Sequence, residues 1–428
     1  MLKKKKRPLC RLAALFCAAI LCLPLAACAV KKPEDTTAPR ITVPVGADTD
    51  PAVPSVTSDT PDPGTSAPET APPETKTPET EAPPVPRDKT LTFLACGDNI
   101  VHDAIIEDAA KRANSTHPNY NFYDMYQGVA PLIAKADISF INMEGCVGGP
   151  SFGYHGYPFF NAPAEIGTTF TDLGYDVVNL ANNHMMDYEE AGYANTIAYF
   201  RTLPVTMIGG YTKADYDDLR IVEKNGVRVA FLSYTTLINF ARQLPAGSDY
   251  LLPYAREDDM TRQIGHAREN ADFVVVSIHW GTEEEFSPNA EQTRLAQLCA
   301  DLGADVVVGH HSHTVQPAAW LTGKNGNRTL VAYSLGNFIS TMYYSQNMAG
   351  AMLSLTFRLS PAGERSVEEA RIIPTVTHYS LERDGLQIYQ LSDYSEELAK
   401  KHGSTLQNAF SYDILKRYYN VIPAEFLR

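Results

Sequence analysis

The chain has 428 residues, 44% of them apolar and 20% charged, with a formal net charge of −14 at pH 7. The length leaves room for two or three units of ~100–200 residues, and the apolar share supports a packed core. An acidic balance of this size argues against nucleic acid as a partner, because phosphate backbones are held by clustered lysine and arginine; it favours cations.

The first 32 residues, MLKKKKRPLCRLAALFCAAILCLPLAACAVKK, place five consecutive basic residues from Lys3 ahead of an uncharged run from Leu12 to Ala27. A basic region followed by an apolar one is the pattern of an export signal. The run has 16 residues, short of the ~20 that a helix needs to cross a bilayer. Leu25-Ala26-Ala27-Cys28 resembles the lipobox of bacterial lipoproteins, which implies cleavage before Cys28 and lipidation of that cysteine; an ordinary secretory signal is the alternative. Two acyl chains suffice for stable attachment, so the expected location is extracytoplasmic, lipid-anchored to the bacterial cell membrane. Loss of residues 1–28 removes six basic and no acidic side chains and takes the net charge from −14 to −20. Cys10, Cys17 and Cys22 leave with the signal, and Cys96, Cys146 and Cys299 remain beside a modified Cys28. Three cysteines without tight spacing are not a disulfide framework.

Residues 29–88 hold 14 of the 29 prolines and no aromatic residue. Such a segment cannot bury enough apolar area to fold and reads as a spacer. Its 60 residues would span roughly 190 Å as polyproline helix or 45 Å as a flexible coil. A folded domain is expected over 89–376, and residues 377–428 form an extension without an evident role.

Within the domain, strand-like runs alternate with helical patterns. LTFLACGDN (91–99), DISFINME (137–144) and YDVVNLANNH (175–184) read as strands, and EEAGYANTIAYFRTL (189–203) as an amphipathic helix. VRVAFLSY (227–234), DFVVVSIHWG (272–281) and ADVVVGHHSH (304–313) are strands rich in valine and isoleucine, with a helix over 289–303 that Gly303 would cap. The later runs RTLVAYSLGNF (328–338), AMLSLTFRL (351–359) and EARIIPTV (369–376) lack long intervening helices and suggest antiparallel strands. The alternation argues for α/β layering.

Polar residues recur where these strands end: Asp98 and Asn99; Asn142 and Glu144; Asn179, Asn182, Asn183 and His184; His279; and His310, His311 and His313. In open α/β sheets the carboxyl edge is where ligands bind. A single strand-end polar residue is more often a cap or a turn residue, but five strands delivering carboxylate, amide and imidazole together point to a metal or catalytic site. Imidazole with carboxylate suits Mn, Zn or Fe without a thiolate.

In order, GDN, NMEG, NLANNHMMDY, HWGTE, GHHSHTVQ and YSLGNF, with YPFFNAPAEI at 157–166, resemble the motif series of the CapA family of poly-γ-glutamate capsule synthesis proteins, over about residues 90 to 345. The resemblance implies the fold of the calcineurin-like metallophosphoesterases, a four-layer α/β/β/α sandwich with mixed sheets. It also implies a divalent metal site, one or two ions, held by Asp98, Glu144, Asn183 and His279 with His311 and His313, or with His310 in place of the first of that pair. His184 would donate a proton to a leaving group. Asn142 and Asn182 are expected beside the site. Asp187 either orients His184 or caps a helix, and Asn337 lies beside the site or forms a structural turn. Trp280 and Tyr154 either stack a substrate or pack in the core.

Two departures from the superfamily pattern bear on the second ion. Ile100 stands where an Asp-x-His motif has its histidine, with His102 two residues further, and Glu144 stands for a shorter aspartate. The function implied is a surface-anchored protein for synthesis, export or attachment of an anionic capsule polymer, with membrane polymer-synthase subunits as partners. A phosphoesterase unrelated to capsule and a non-enzymatic polymer-binding subunit are the rivals.

Overall fold

The computed structural model describes residues 87–406 and 409–427; the export signal, Cys28 and the spacer up to residue 86 lie outside them. The chain first lays down a parallel set: β1 (Lys89–Ile100), β2 (Ile138–Glu144), β3 (Val177–Asn179) and β4 (Thr206–Ile208). Between them run α1 (Asp103–Lys111), α2 (Ala130–Lys135), α3 (Glu165–Leu173) and α4 (Glu189–Phe200). After the two-residue β5 (Tyr211–Thr212) comes a second sheet, begun by β6 (Arg220–Lys224) and β7 (Val227–Thr235). The short β8 (Tyr250–Leu251), which pairs β5, is followed by α5 (Glu257–Asn270), β9 (Phe273–His279), α6 (Ala290–Asp301), β10 (Val306–His310), β11 (Ala318–Thr322) and β12 (Arg328–Ala332).

The chain then returns to the first sheet with β13 (Asn337–Ile339), β14 (Ala349–Leu359), β15 (Arg365–His378) and β16 (Gln387–Gln390). That sheet has the order β16-β15-β14-β1-β2-β3-β4 with β13 beside the end of β1, and the second runs β11-β12-β10-β9-β7-β6. Both mix parallel and antiparallel pairs.

The sheets pack face to face. Phe93 of β1 lies 5.9 Å from Phe231 of β7, and Phe357 of β14 lies 4.5 Å from Phe273 of β9, centroid to centroid. Alternation along β7 sends Val227, Val229 and Phe231 into this interior and Ala230, Leu232 and Tyr234 to the other face, under Met260 and Ile264 of α5 and Leu295 and Cys299 of α6. Helices α1 to α4 add Ile105, Ile133, Ile166, Phe170 and Ile197 to the core of the first sheet. The result is the four-layer α/β/β/α sandwich with mixed sheets. Each buried Phe contributes ~1.5–3 kcal/mol of transfer free energy.

Helix α6 begins with a capping box, Asn289 and Gln292 each accepting the other's backbone N–H at 2.9 Å, which satisfies two otherwise orphaned donors. Cys96, Cys146 and Cys299 are buried and unpaired, and burial pushes all three thiols up to about 12. Trp280 is fully buried and donates Nε1–H to Tyr333 O at 2.9 Å, a core residue.

Three expectations change in detail. The run 175–184 is a strand only over Val177–Asn179, and the rest is loop. The run 328–338 divides between the two sheets as β12 and β13. Gly336 makes the turn with φ +64°, which glycine tolerates, and its carbonyl oxygen comes so close to residue 97 that the chains approach only because Gly97 lacks a side chain. After residue 377, β16 adds a strand to the first sheet, and Tyr394, Leu415 and Phe426 are buried in the core. Tyr419 fastens this segment by donating to Thr375 O at 2.6 Å and lying 2.8 Å from Gly350 O.

Candidate metal centre and cleft

The carboxyl ends of β1, β2, β9 and β10 converge on a cleft of about 640 Å³ whose floor includes Glu144, His184 and His313. Backbone register sets the floor. Asp98, Asn142 and Asn179 are adjacent partners on β1, β2 and β3, so their side chains form a row. Asn142 donates to Asp98 Oδ1 at 2.9 Å and Asn179 to Asn142 Oδ1 at 2.7 Å. Ser233 of the second sheet donates to Asn179 Oδ1. On the same sheet β9 and β10 place His279 and His310 side by side.

Beyond His310 the chain turns sharply, with φ of +91° at His311 and +56° at His313. Two non-glycine residues in this region cost of order 1–3 kcal/mol each and persist only where the surroundings hold them. The turn brings both imidazoles to Glu144. Ligand atoms of Glu144, His311 and His313 lie within 4.8 Å of one another, as do those of Asp98, Glu144 and His279. Glu144 is common to both groups, and all five residues are buried.

The donor set fits a divalent cation. Glu144 Oε1 and Oε2, His279 Nδ1 and His311 Nδ1 are buried with no hydrogen-bond partner among the described residues. A buried polar atom left unpaired costs ~1–3 kcal/mol, and a cation beside Glu144 would satisfy both of its oxygens together. Electrostatics agree. Burial raises the Glu144 carboxyl well above the usual range, the response of an anion without its counter-charge. Burial works against ionised Asp98 too, but the hydrogen bond from His310 and the nearby His313 imidazole, 3.6 Å away, prevail and hold it well below that range. Burial lowers His279, and lowers His311 to about 3, so both are neutral and able to ligate. For His313 the pull of Glu144 and Asp98 overrides burial and raises it to about 10.

The remaining expected residues surround this core. His310 gives Nδ1 to Asp98 at 2.9 Å and stands outside both ligand groups, as a support for Asp98. Asn183 Oδ1 lies 2.9 Å from His279 Nε2, the ring nitrogen that also stands 3.9 Å from Glu144 Oε1. Asn337 Oδ1 is 3.0 Å from His313 Nδ1. Asn182 ties the loop after β3 to Met143 O and Leu180 O. Asp187 accepts from His184 Nδ1 at 2.8 Å, and Phe160 packs edge-on against the His184 ring at 4.6 Å. Ile100 and His102 both line the cleft. His102 Nδ1 lies 3.3 Å from Ile100 O and 3.3 Å from Thr341 N, and belongs to neither ligand group. Tyr154 packs against Tyr120 at 5.8 Å.

Three contributors carried no sequence signal. Asn239 accepts from Asn183 Nδ2 at 3.3 Å and places its own Nδ2 3.2 Å from His184 Nε2, linking the two candidate histidine environments. It sits in an irregular loop held by positive φ at Phe240 and Ala241. Ser233 looks like any small residue of a buried strand, and Arg383, also at the cleft, lies in the C-terminal extension.

The family model described as bacterial capsule synthesis protein PGA_cap matches residues 92–342. The PGA biosynthesis protein CapA of Bacillus subtilis is 32% identical over 198 residues, 46% of this chain and 50% of that protein. The capsule biosynthesis protein CapA of Bacillus anthracis is 34% identical over 206 residues, 46% of this chain and 48% of that protein. The chain thus spans about half the length of these curated relatives. Among solved structures, the NAD nucleotidase of Haemophilus influenzae is similar at 14% identity and a TM-score of 0.42, over 78% of this chain and 60% of that one. A putative 5′-nucleotidase from Staphylococcus aureus is similar at 14% identity and a TM-score of 0.42, over 67% and 54%.

Proposed function

The chain belongs to the bacterial capsule synthesis protein family PGA_cap, and from that membership we propose that it acts in synthesis, export or attachment of an anionic surface polymer of the poly-γ-glutamate type, by metal-assisted hydrolysis or transfer. The observation that carries the catalytic half is the buried Glu144 carboxylate, without a hydrogen-bond partner at either oxygen and within 4.8 Å of ligand atoms of Asp98 and His279 in one group and of His311 and His313 in the other. A bound divalent ion would polarise the reacting carbonyl or phosphoryl oxygen and lower the pKa of a water. Asp98, Glu144, His279, His311 and His313 would hold it, with Mn, Zn or Fe suited to the donors.

The chain's own groups perform the rest. Asn142 and His310 fix the orientation of Asp98, and Asn183 fixes the ring of His279. Asp187 accepts from His184 Nδ1, so Nε2 is the atom that passes a proton to a leaving group. The polymer half draws support from the names of the two Bacillus relatives. The anchor is proposed at Cys28, on the strength of the basic, apolar and LAAC sequence preceding it; Cys28→Ala is then expected to release the protein into the soluble fraction.

The test is metal content and turnover of the full chain purified in detergent, on a γ-linked glutamate oligomer and on a generic phosphodiester. Stoichiometric metal is expected, with oligomer cleavage or transfer that falls by ~10²–10⁴ in His184→Ala while the metal is retained. Phosphodiester turnover alone would indicate a phosphoesterase unrelated to capsule. Metal-independent oligomer binding without turnover would indicate a binding subunit.

A further inference from the structure

Among the described residues lining the cleft, Asp103, Glu107, Glu144, Glu283 and Glu382 are acidic, and Arg383 is the only lysine or arginine. It belongs to the segment between β15 and β16, beyond the family-matched residues 92–342. Its backbone adopts φ +61°, a conformation uncommon for a residue with a side chain. Nη2 donates to Thr341 O at 2.6 Å, and the guanidinium lies 5.1 Å from the Tyr343 ring centre and 5.9 Å from that of Tyr379. Nε is buried without a hydrogen-bond partner, and no carboxylate among the described residues lies within ion-pair distance.

One carbonyl and two ring faces hold this cation in place, and none of them neutralises it. A planar guanidinium with uncommitted donors is suited to a carboxylate or similar planar anion, and prior immobilisation reduces the entropy lost on binding. Tyr157, Tyr343 and Tyr344, which also line the cleft, are 75%, 54% and 52% exposed and give its mouth apolar walls. The five acids disfavour an extended polyanion along the whole cleft, so the anionic unit is expected at one position, beside Arg383.

We infer that Arg383 is a specificity-determining residue that binds one carboxylate of the substrate flanking the bond acted on at Glu144, His184 and His313. The inference rests on the polymer reading and names how that polymer is recognised.

The test is calorimetric binding of a γ-linked glutamate decamer to the full chain in detergent with its metal, beside the same decamer with its carboxylates converted to methyl esters. The parent is expected to bind the free acid at least tenfold tighter than the ester. Arg383→Gln is expected to erase most of that ratio with metal content and melting midpoint unchanged, and Arg383→Lys to retain part of it. Equal binding of acid and ester by the parent, or an unchanged ratio in Arg383→Gln, overturns the assignment and leaves the polymer reading standing. No binding of the free acid by the parent overturns the polymer reading and the assignment with it. Should Arg383→Gln fail to fold, the Lys variant decides: an undiminished ratio there removes the guanidinium from recognition.

Discussion

Asp98 on the first sheet accepts a hydrogen bond from His310 Nδ1 on the second at 2.9 Å, and its other oxygen accepts the His311 backbone N–H at 3.0 Å. The two sheets therefore meet at the candidate metal centre. Any change in how they pack moves Asp98 relative to His279, His311 and His313.

The amide row behind Asp98 is expected to set metal affinity. Asn142→Leu removes the 2.9 Å bond to Asp98 and takes the acceptor of Asn179 Nδ2 away, while replacing no proposed ligand. Loss of such a supporting contact typically weakens metal binding 10–100-fold. Metal titration of the folded variant checks this; parent-like affinity would make the row purely structural.

Chelation is expected to lower the melting temperature of the parent. With free ion at a hundred times its Kd, binding adds about 2.7 kcal/mol to stability. In a His311→Ala/His313→Ala variant, chelator should shift the melting curve by far less. An equal shift in both proteins would place the metal elsewhere.

His184→Ala should reduce turnover by ~10²–10⁴ with metal content intact, the range for loss of a general acid. Asp187→Asn should show a smaller loss, since it disturbs the ring through the 2.8 Å contact at Nδ1. If His184→Ala instead emptied the metal site, His184 would be a ligand.

A second buried histidine region gives a pH signature independent of the cleft. His402 stacks on Phe410 at 4.0 Å, lies 2.9 Å through Nε2 from Thr377 O, and accepts the Ser404 N–H at 2.9 Å. Burial lowers it from 6.5 to about 3. The unfolded chain therefore takes up this proton first on acidification, so its contribution is present above about 6.5 and is lost as pH falls toward 3. Between pH 7 and 5 the loss amounts to ~2 kcal/mol by linkage. His402→Gln should flatten the fall in melting temperature over that window; an unaltered slope would assign the acid sensitivity to other groups.

Much of the candidate site was legible because β-strands write their ends plainly. Runs such as VVV at 306–308 have nowhere to be but a buried strand, and a polar cluster directly after one must sit at the sheet edge. Helix α6 was readable for the same local reason, with Gly303 marking its end. Arg383 and Asn239 were not legible. Arg383 meets Thr341 across 42 residues and Asn239 meets Asn183 across 56, and no periodicity relates such pairs.

The sequence by itself determined which residue types stand at the strand ends, and therefore that carboxylate and imidazole would share one edge of an α/β structure. Hydrophobic alternation is a property of neighbours along the chain and needs no tertiary knowledge. Only the tertiary structure decided which imidazole serves which purpose: His310 turns to Asp98, while the positive φ at His311 and His313 brings their rings to Glu144. Three histidines within four positions are equivalent as letters. They become distinct because a strand ends at the first and a strained turn, held by contacts from both sheets, carries the other two.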